Sequence, residues 1–126
     1  MACAAGLATL EVIEEEKILD NVNSVGTYLT NRLNGLKNSH PIVGDVRGKG
    51  LLLAIDLVKG EGTTEAFNEA GKMVYEKAFS KGLAWIPAGN ILRLAPPLTI
   101  TQELAGKAID IIDEVITETE KHFGIS

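Results

Sequence analysis

An arginine stands in the middle of a short apolar strand, and two prolines follow shortly after it. Residues 91–101 read ILRLAPPLTIT, and strand alternation places Leu92 and Leu94 on one face and Arg93 on the other. The prolines at 96–97 lack the backbone donor of a sheet ladder, so the strand must end before them. A guanidinium held there reaches water, pairs with an acid of its own chain, or binds an anionic ligand. The residues alone leave a structural ion pair and a ligand contact equally open.

Hydrophobic periodicity on both sides of this strand predicts a mixed α/β chain. Steps of three and four positions indicate helices over about 2–16, 17–37 and 65–81, and from 101 to about 123. Strands are predicted within 42–50 and 51–58, and at 83–87 and 91–94 as an antiparallel hairpin. We therefore expect one domain over residues 1–126, an α/β (α+β) two-layer sandwich. Its sheet is expected to be small and mainly antiparallel, with about four strands and helices packed on one face.

Local signals add detail to this outline. Thr63 or Thr64 is predicted to cap the third helix, and Thr101 is predicted to cap the fourth. The strand at 51–58 is apolar on both faces at its start, so it is expected to be central and covered on both faces.

A glycine-rich run at residues 47–50, RGKG, invites a phosphate-loop interpretation. Its spacing does not fit a Walker loop, and Gly50 stands where that loop needs serine or threonine. We therefore interpret Gly48 and Gly50 as a bulge or a close approach of two backbones. For Arg47, a surface or structural ion pair is favoured over an anion site.

Composition excludes several classes of function. The net charge of -5 argues against nucleic acid as the main partner. The single cysteine, Cys3, permits no internal disulfide and suits a reducing compartment. The longest apolar run, at 51–55, is too short to span a bilayer, and no signal segment opens the chain. We expect a cytoplasmic protein that does not act at a membrane.

Motifs of catalysis are missing from the sequence. GxSxG, HExxH and CxxC do not occur, and two histidines and one cysteine argue against a His/Cys metal site. His40 is interpreted as a loop residue, and His122 suits the last turn of a helix. The residues alone therefore describe an α/β domain with an anion-ready arginine and no catalyst.

Three segments, taken in order, resemble the C-terminal domain of class III (subgroup II) pyridoxal-phosphate aminotransferases. They are residues 4–13 (AAGLATLEVI), 46–55 (VRGKGLLLAI) and 91–101 (ILRLAPPLTIT). 4-Aminobutyrate, acetylornithine and ornithine aminotransferases belong to that group. The resemblance covers essentially the whole chain, and its RLAPPL run is specific.

The resemblance implies a fold type I enzyme in which this small domain packs on a larger cofactor domain upstream. It implies that Arg93 binds the substrate carboxylate, and that this chain holds no catalytic or cofactor-binding residue. No metal-binding residue is expected, on the histidine and cysteine counts given above. Pyridoxal 5'-phosphate is expected in the full-length enzyme, whereas the fragment is predicted to bind none and to be inactive. The implied partners are an amino acid such as 4-aminobutyrate or (acetyl)ornithine, a 2-oxo acid that accepts its amino group, and a second copy in a homodimer.

The family's Schiff-base lysine lies upstream of the segments that match. Five lysines of this chain sit on bends or helix faces, and none is assigned that role: Lys49, Lys59, Lys72, Lys77 and Lys81. Two alternatives stay open. The same domain occurs in aminomutases and decarboxylases of this fold, and a free-standing protein-interaction module would also carry exposed helix faces.

Overall fold

Helices cover one face of a small antiparallel sheet. The computed structural model describes residues 1–125. Their elements are α1 (Ala2–Glu15), α2 (Ile18–Ser39), β1 (Val43–Lys49), β2 (Leu52–Leu57), α3 (Asn68–Ser80), β3 (Ile91–Leu94) and α4 (Gln102–Phe123). The strand order is β1-β2-β3, and both neighbouring pairs are antiparallel. The predicted two-layer α/β architecture is confirmed.

One of the four predicted strands, that at residues 83–87, is wrong. This segment runs as irregular chain, and only an isolated bridge from Ala88 to Ile91 follows it. The segment ends in a proline, which cannot donate to a ladder. Its apolar side chains pack instead: the Trp85 ring meets the Tyr75 ring edge-on, with centroids 5.5 Å apart. The sheet therefore has three strands within residues 1–125.

The third helix begins later than predicted, and neither predicted threonine caps it. It starts at Asn68, and its N-cap position is Phe67, with no side-chain cap. The Phe67 amide donates to the Leu57 carbonyl at 3.1 Å. This bond ties the chain before the helix to the end of β2, so residues 65–67 do not join the helix. The predicted cap of the fourth helix is confirmed, because the Thr101 side chain accepts from the Leu104 amide.

β2 is the central strand, as predicted, but only one of its faces is covered. The covered face consists of Leu53, Ile55 and Leu57, each at most 2% exposed. On the other face Leu52 is 66% exposed, while Ala54 and Asp56 are half-buried. The expectation of two covered faces is wrong for residues 1–125, because the helices that pack on the sheet lie on the same side.

α1 contributes least to the core. It has no buried residue, and Leu7 and Leu10 are both more than 60% exposed. Its apolar side chains thus remain at the surface of the described chain. Among residues 1–125, every helix is too short or too polar to cross a lipid bilayer.

Two backbones approach each other where α2 crosses the turn between β1 and β2. A Cβ atom added at Gly26 would lie 2.6 Å from the Gly50 carbonyl oxygen. A Cβ atom at Gly48, where φ is 143°, would lie 2.1 Å from the Leu52 oxygen. The glycines of the RGKG run therefore permit close packing, as interpreted from the sequence. The bulge in the sheet lies elsewhere, at the start of β1.

His40 fastens the end of α2 to α4. His40 is 6% exposed, with Nδ1 2.8 Å from Glu120 Oε2 and Nε2 2.8 Å from Asp113 Oδ1. Burial disfavours the imidazolium, but the hydrogen bonds to Glu120 and Asp113 outweigh burial and raise the pKa of His40 above 6.5. The sequence placed His40 between a helix and a strand correctly, but gave no sign of these partners on α4.

Two alanine substitutions in α2 should change stability in opposite directions. Gly26→Ala should lower the free energy of unfolding by about 1–3 kcal/mol, because the added methyl meets backbone that must move. Gly35→Ala should raise it by about 0.5–1 kcal/mol, because nothing lies within 4 Å of the added Cβ and alanine favours helix. Urea denaturation measures both. A Gly26→Ala protein as stable as Gly35→Ala would contradict the close approach.

The His40 contacts should make stability depend on pH. His40 binds its proton more tightly in the folded state than in the unfolded state, where the pKa of His40 is near 6.5. The stabilisation is therefore fully present below pH 6.5 and is lost as pH rises through the folded-state pKa. We expect the stability difference between the wild type and His40→Gln to shrink over that interval. Urea titrations across it are the test, and a pH-independent difference would contradict the prediction. His122 is present in both proteins and cancels.

Candidate functional site

Arg93 lies on the uncovered face of the sheet. In the strand register it pairs with Ala54 of β2, and Arg47 of β1 pairs with Ala54 from the other side. Paired residues share a face, so two arginines flank one small side chain across the three strands. Leu92 is 1% exposed on the opposite face. Its burial, worth about 1.5–3 kcal/mol, holds Arg93 outward.

The chain after β3 is fixed by the proline pair and by α2. β3 ends at Leu94, as the prolines at 96–97 require. Farther on, the Asn21 side-chain amide donates to the carbonyls of Leu98 and Ile100 at 2.7 and 3.1 Å. The segment that carries Arg93 is therefore held between a paired strand and a tethered exit. The sequence of α2 alone does not indicate these partners of Asn21.

The two arginines differ in their partners. Arg47 Nη1 and Nη2 bind Asp56 Oδ2 and Oδ1 at 2.5 and 2.9 Å, and Nη1 lies 3.4 Å from Asp45 Oδ2. These contacts, that to Asp56 above all, raise the pKa of Arg47 above its ordinary value. Arg93 is exposed and makes no salt bridge or side-chain hydrogen bond within residues 1–125. The structural pair favoured for Arg47 is confirmed.

The two acids of this face, Asp45 and Asp56, both form ion pairs. Asp56 holds Arg47, and Lys37 lies 3.2 Å from Asp45 and holds the pKa of that carboxyl below its ordinary value. In the described chain Lys49 and Arg93 are left on this face without an acidic partner. The face therefore carries uncompensated positive charge on a chain whose net charge is -5. Such a surface attracts anions.

Most of the nine lysines of this chain are paired with acidic side chains. A lysine that attacks a carbonyl needs a lowered pKa, from burial or from a neighbouring cation. Here hydrogen bonds to acids raise the pKa of Lys59 and of Lys81. Acidic partners also hold Lys37, Lys72, Lys77 and Lys107. Six lysines of the described chain are therefore held by acidic side chains.

Comparison with known proteins identifies the family. Residues 1–116 match the family model described as Aminotransferase class-III. This chain belongs to the class-III aminotransferase family. The chain is 42% identical over 120 residues to alanine/serine racemase of Pyrococcus horikoshii. It is 41% identical over 121 residues to 5-aminovalerate aminotransferase DavT of Pseudomonas putida.

This chain corresponds to only part of the length of such proteins. The alignments cover 92% of this chain and 25% of the racemase, and 94% of this chain and 28% of the aminotransferase. The chain thus spans about a quarter of the length of the curated relatives it matches. The crystal structure of adenosylmethionine-8-amino-7-oxononanoate aminotransferase from Methanocaldococcus jannaschii superposes with a TM-score of 0.83 at 39% identity, over 92% of this chain and 27% of that one. The fold and family implied by the sequence resemblance are confirmed.

Proposed function

We propose that this chain is the C-terminal small domain of a pyridoxal-phosphate-dependent aminotransferase, in which Arg93 binds the substrate carboxylate. The observation that carries the proposal is the contrast between two arginines on one sheet face. Arg47 is satisfied by Asp56, whereas the outward guanidinium of Arg93 has no acidic partner in residues 1–125. A planar guanidinium binds a carboxylate through two parallel charge-assisted hydrogen bonds. The match to class-III aminotransferases supports the same role.

Arg93 binds and orients the substrate in this proposal. It does not transfer protons, because a guanidinium keeps its proton at any working pH. Fixing the carboxylate fixes the direction of the amino group at the other end of the substrate, and orientation of this kind lowers the barrier. The amino acid donor and the 2-oxo acid acceptor both carry a carboxylate, so one arginine serves both. Pyridoxal phosphate, bound by the rest of the enzyme, supplies the electron sink for amino-group transfer.

The remainder of the enzyme is proposed on the same basis. A larger cofactor domain would cover the open sheet face, where Leu52 is 66% exposed, and the apolar side chains of α1. We propose a homodimer in the cytoplasm that moves the amino group of an amino acid, such as 4-aminobutyrate or (acetyl)ornithine, to a 2-oxo acid. The 5-aminovalerate aminotransferase relative supports an amino acid of this type as the donor.

Amino acid racemisation is a second candidate function. The observation that favours it is the 42% identity to alanine/serine racemase. Racemisation also retains the substrate carboxylate, so Arg93 would have the same binding role. The reactions differ in the fate of the amino group. Incubating the complete enzyme with an L-amino acid separates them: an aminotransferase requires a 2-oxo acid, whereas a racemase forms the D-enantiomer without one.

Arg93→Ala in the complete enzyme should lower kcat/KM for the amino acid. The expected fall corresponds to a loss of about 2–3 kcal/mol of transition-state binding, the scale of a charged hydrogen-bonded pair. The kcat/KM of Arg93→Lys should lie between those of the wild type and Arg93→Ala, because lysine keeps the positive charge but loses the two parallel hydrogen bonds of the guanidinium. Steady-state kinetics with the amino acid and with an amine that lacks its carboxylate form the test. Only the amino acid should be affected. Unchanged kinetics with the amino acid would remove Arg93 from the site.

The 126-residue chain alone should form no specific covalent complex with pyridoxal phosphate, because its lysines are held by acids or exposed. We expect no cofactor absorption band in the purified chain after incubation with pyridoxal phosphate and dialysis. Borohydride reduction followed by peptide mass spectrometry checks this. A stoichiometric adduct at one lysine would contradict the prediction.

A further inference from the structure

We propose that Arg47 is a positioning residue for substrate binding: it holds Asp56 and so keeps that carboxylate away from Arg93. The inference rests on the proposed role of Arg93 in binding the substrate carboxylate. It gives a function to the arginine of the RGKG run, which neither the motif nor the family match assigns.

Asp56 lies diagonally from both arginines. Arg47 and Arg93 each pair with Ala54, one from either side, and Asp56 is two residues farther along β2 on the same face. Diagonal neighbours in a sheet lie about 7–8 Å apart, which is within the reach of a long side chain. The register thus places one carboxylate within reach of two guanidinium groups.

Arg47 takes both oxygens of that carboxylate. Its two terminal nitrogens lie 2.5 and 2.9 Å from the two Asp56 oxygens, in the paired geometry of a guanidinium and a carboxylate. Asp45 lies beside the same guanidinium at 3.4 Å and is itself bound by Lys37. While these contacts hold, no carboxylate on the sheet offers both its oxygens to Arg93.

Loss of Arg47 would release a competitor for the substrate. The Asp56 side chain is only 24% exposed, so its unpaired charge would be poorly solvated and would favour another cation. Arg93 is the guanidinium within diagonal reach. An Asp56–Arg93 pair would occupy the fork that the substrate needs, and the freed charge would also repel an incoming carboxylate. Both effects weaken binding of the carboxylate and leave the chemistry of the bound substrate unchanged.

A purely structural pair would behave differently. If the Arg47–Asp56 pair served only to hold β1 against β2, removal of either partner would have the same effect. The positioning role is asymmetric. Arg47→Ala leaves the competing carboxylate behind, whereas Asp56→Asn removes the competitor together with the pair.

The test uses the complete enzyme and steady-state kinetics with the amino acid substrate. Arg47→Ala should raise KM about tenfold with little change in kcat, the effect expected of a coupled neighbouring charge. Asp56→Asn should not raise KM, and the double variant Arg47→Ala/Asp56→Asn should return KM to within about twofold of wild type. Lys107→Ala, which breaks an exposed ion pair on α4, is the matched control. An amine without a carboxylate should show none of these changes.

Several outcomes would overturn the proposal. Equal increases in KM for Arg47→Ala and Asp56→Asn would leave the pair as a structural contact, and so would a double variant that does not recover. An unchanged KM in Arg47→Ala would also overturn it. Arg47→Gln gives the same comparison if Arg47→Ala does not fold, as thermal unfolding reports. If Arg93→Ala itself leaves kcat/KM for the amino acid unchanged, the proposed function fails, and that result is separate from the behaviour of Arg47.

Discussion

The burial of Leu92 in a strand of alternating side chains decides where Arg93 points. Leu92 is 1% exposed beneath the helices, and Arg93, its neighbour in the chain, must face the other way. A slip of one residue in β3 would bury the guanidinium and expose the leucine. Burying an unpaired charge costs far more than burying a leucine contributes, so both effects favour the same register. The core thereby positions a side chain that is not part of it.

The same logic explains why two chemically identical groups behave differently. β1 carries Asp45 two residues before Arg47, and its register with β2 brings Asp56 within reach. β3 carries no acid, because Ile91 occupies the corresponding position before Arg93 on the open face. Asp45 thus lies on the strand that carries Arg47, whereas Asp56 lies on the central strand and is bound by Arg47. One arginine is therefore paired within the protein, and the other has no acidic partner in residues 1–125.

Local patterns predicted the helices, the central strand and the side of β3 that carries Arg93, because periodicity and alternation depend on neighbouring residues. They failed where a distant contact decides. The segment at 83–87 has the alternation of a strand, but its Trp85 side chain packs on Tyr75 and its backbone does not pair with a neighbouring strand. The start of α3 is set by a backbone bond to Leu57 rather than by a threonine cap. The choice of Asp56 between two arginines likewise depends on strand register, which a single strand does not reveal.

An open sheet face has a consequence for affinity once other protein covers it. In water a guanidinium and a carboxylate attract each other weakly, and their attraction grows as the surrounding dielectric falls. In such surroundings the charges of Arg47 and Asp56 neutralise each other. Arg93 has no such partner in the described chain, so covering the face would raise the free energy of the empty site. The free energy released when a carboxylate binds would then be larger. A domain that covers Leu52 and Ile91 would therefore strengthen carboxylate binding without adding a contact to the substrate. In the proposed enzyme, the half-covered sheet and the unpaired arginine would belong to one site, completed by the domain that covers the sheet and by the carboxylate that pairs with Arg93.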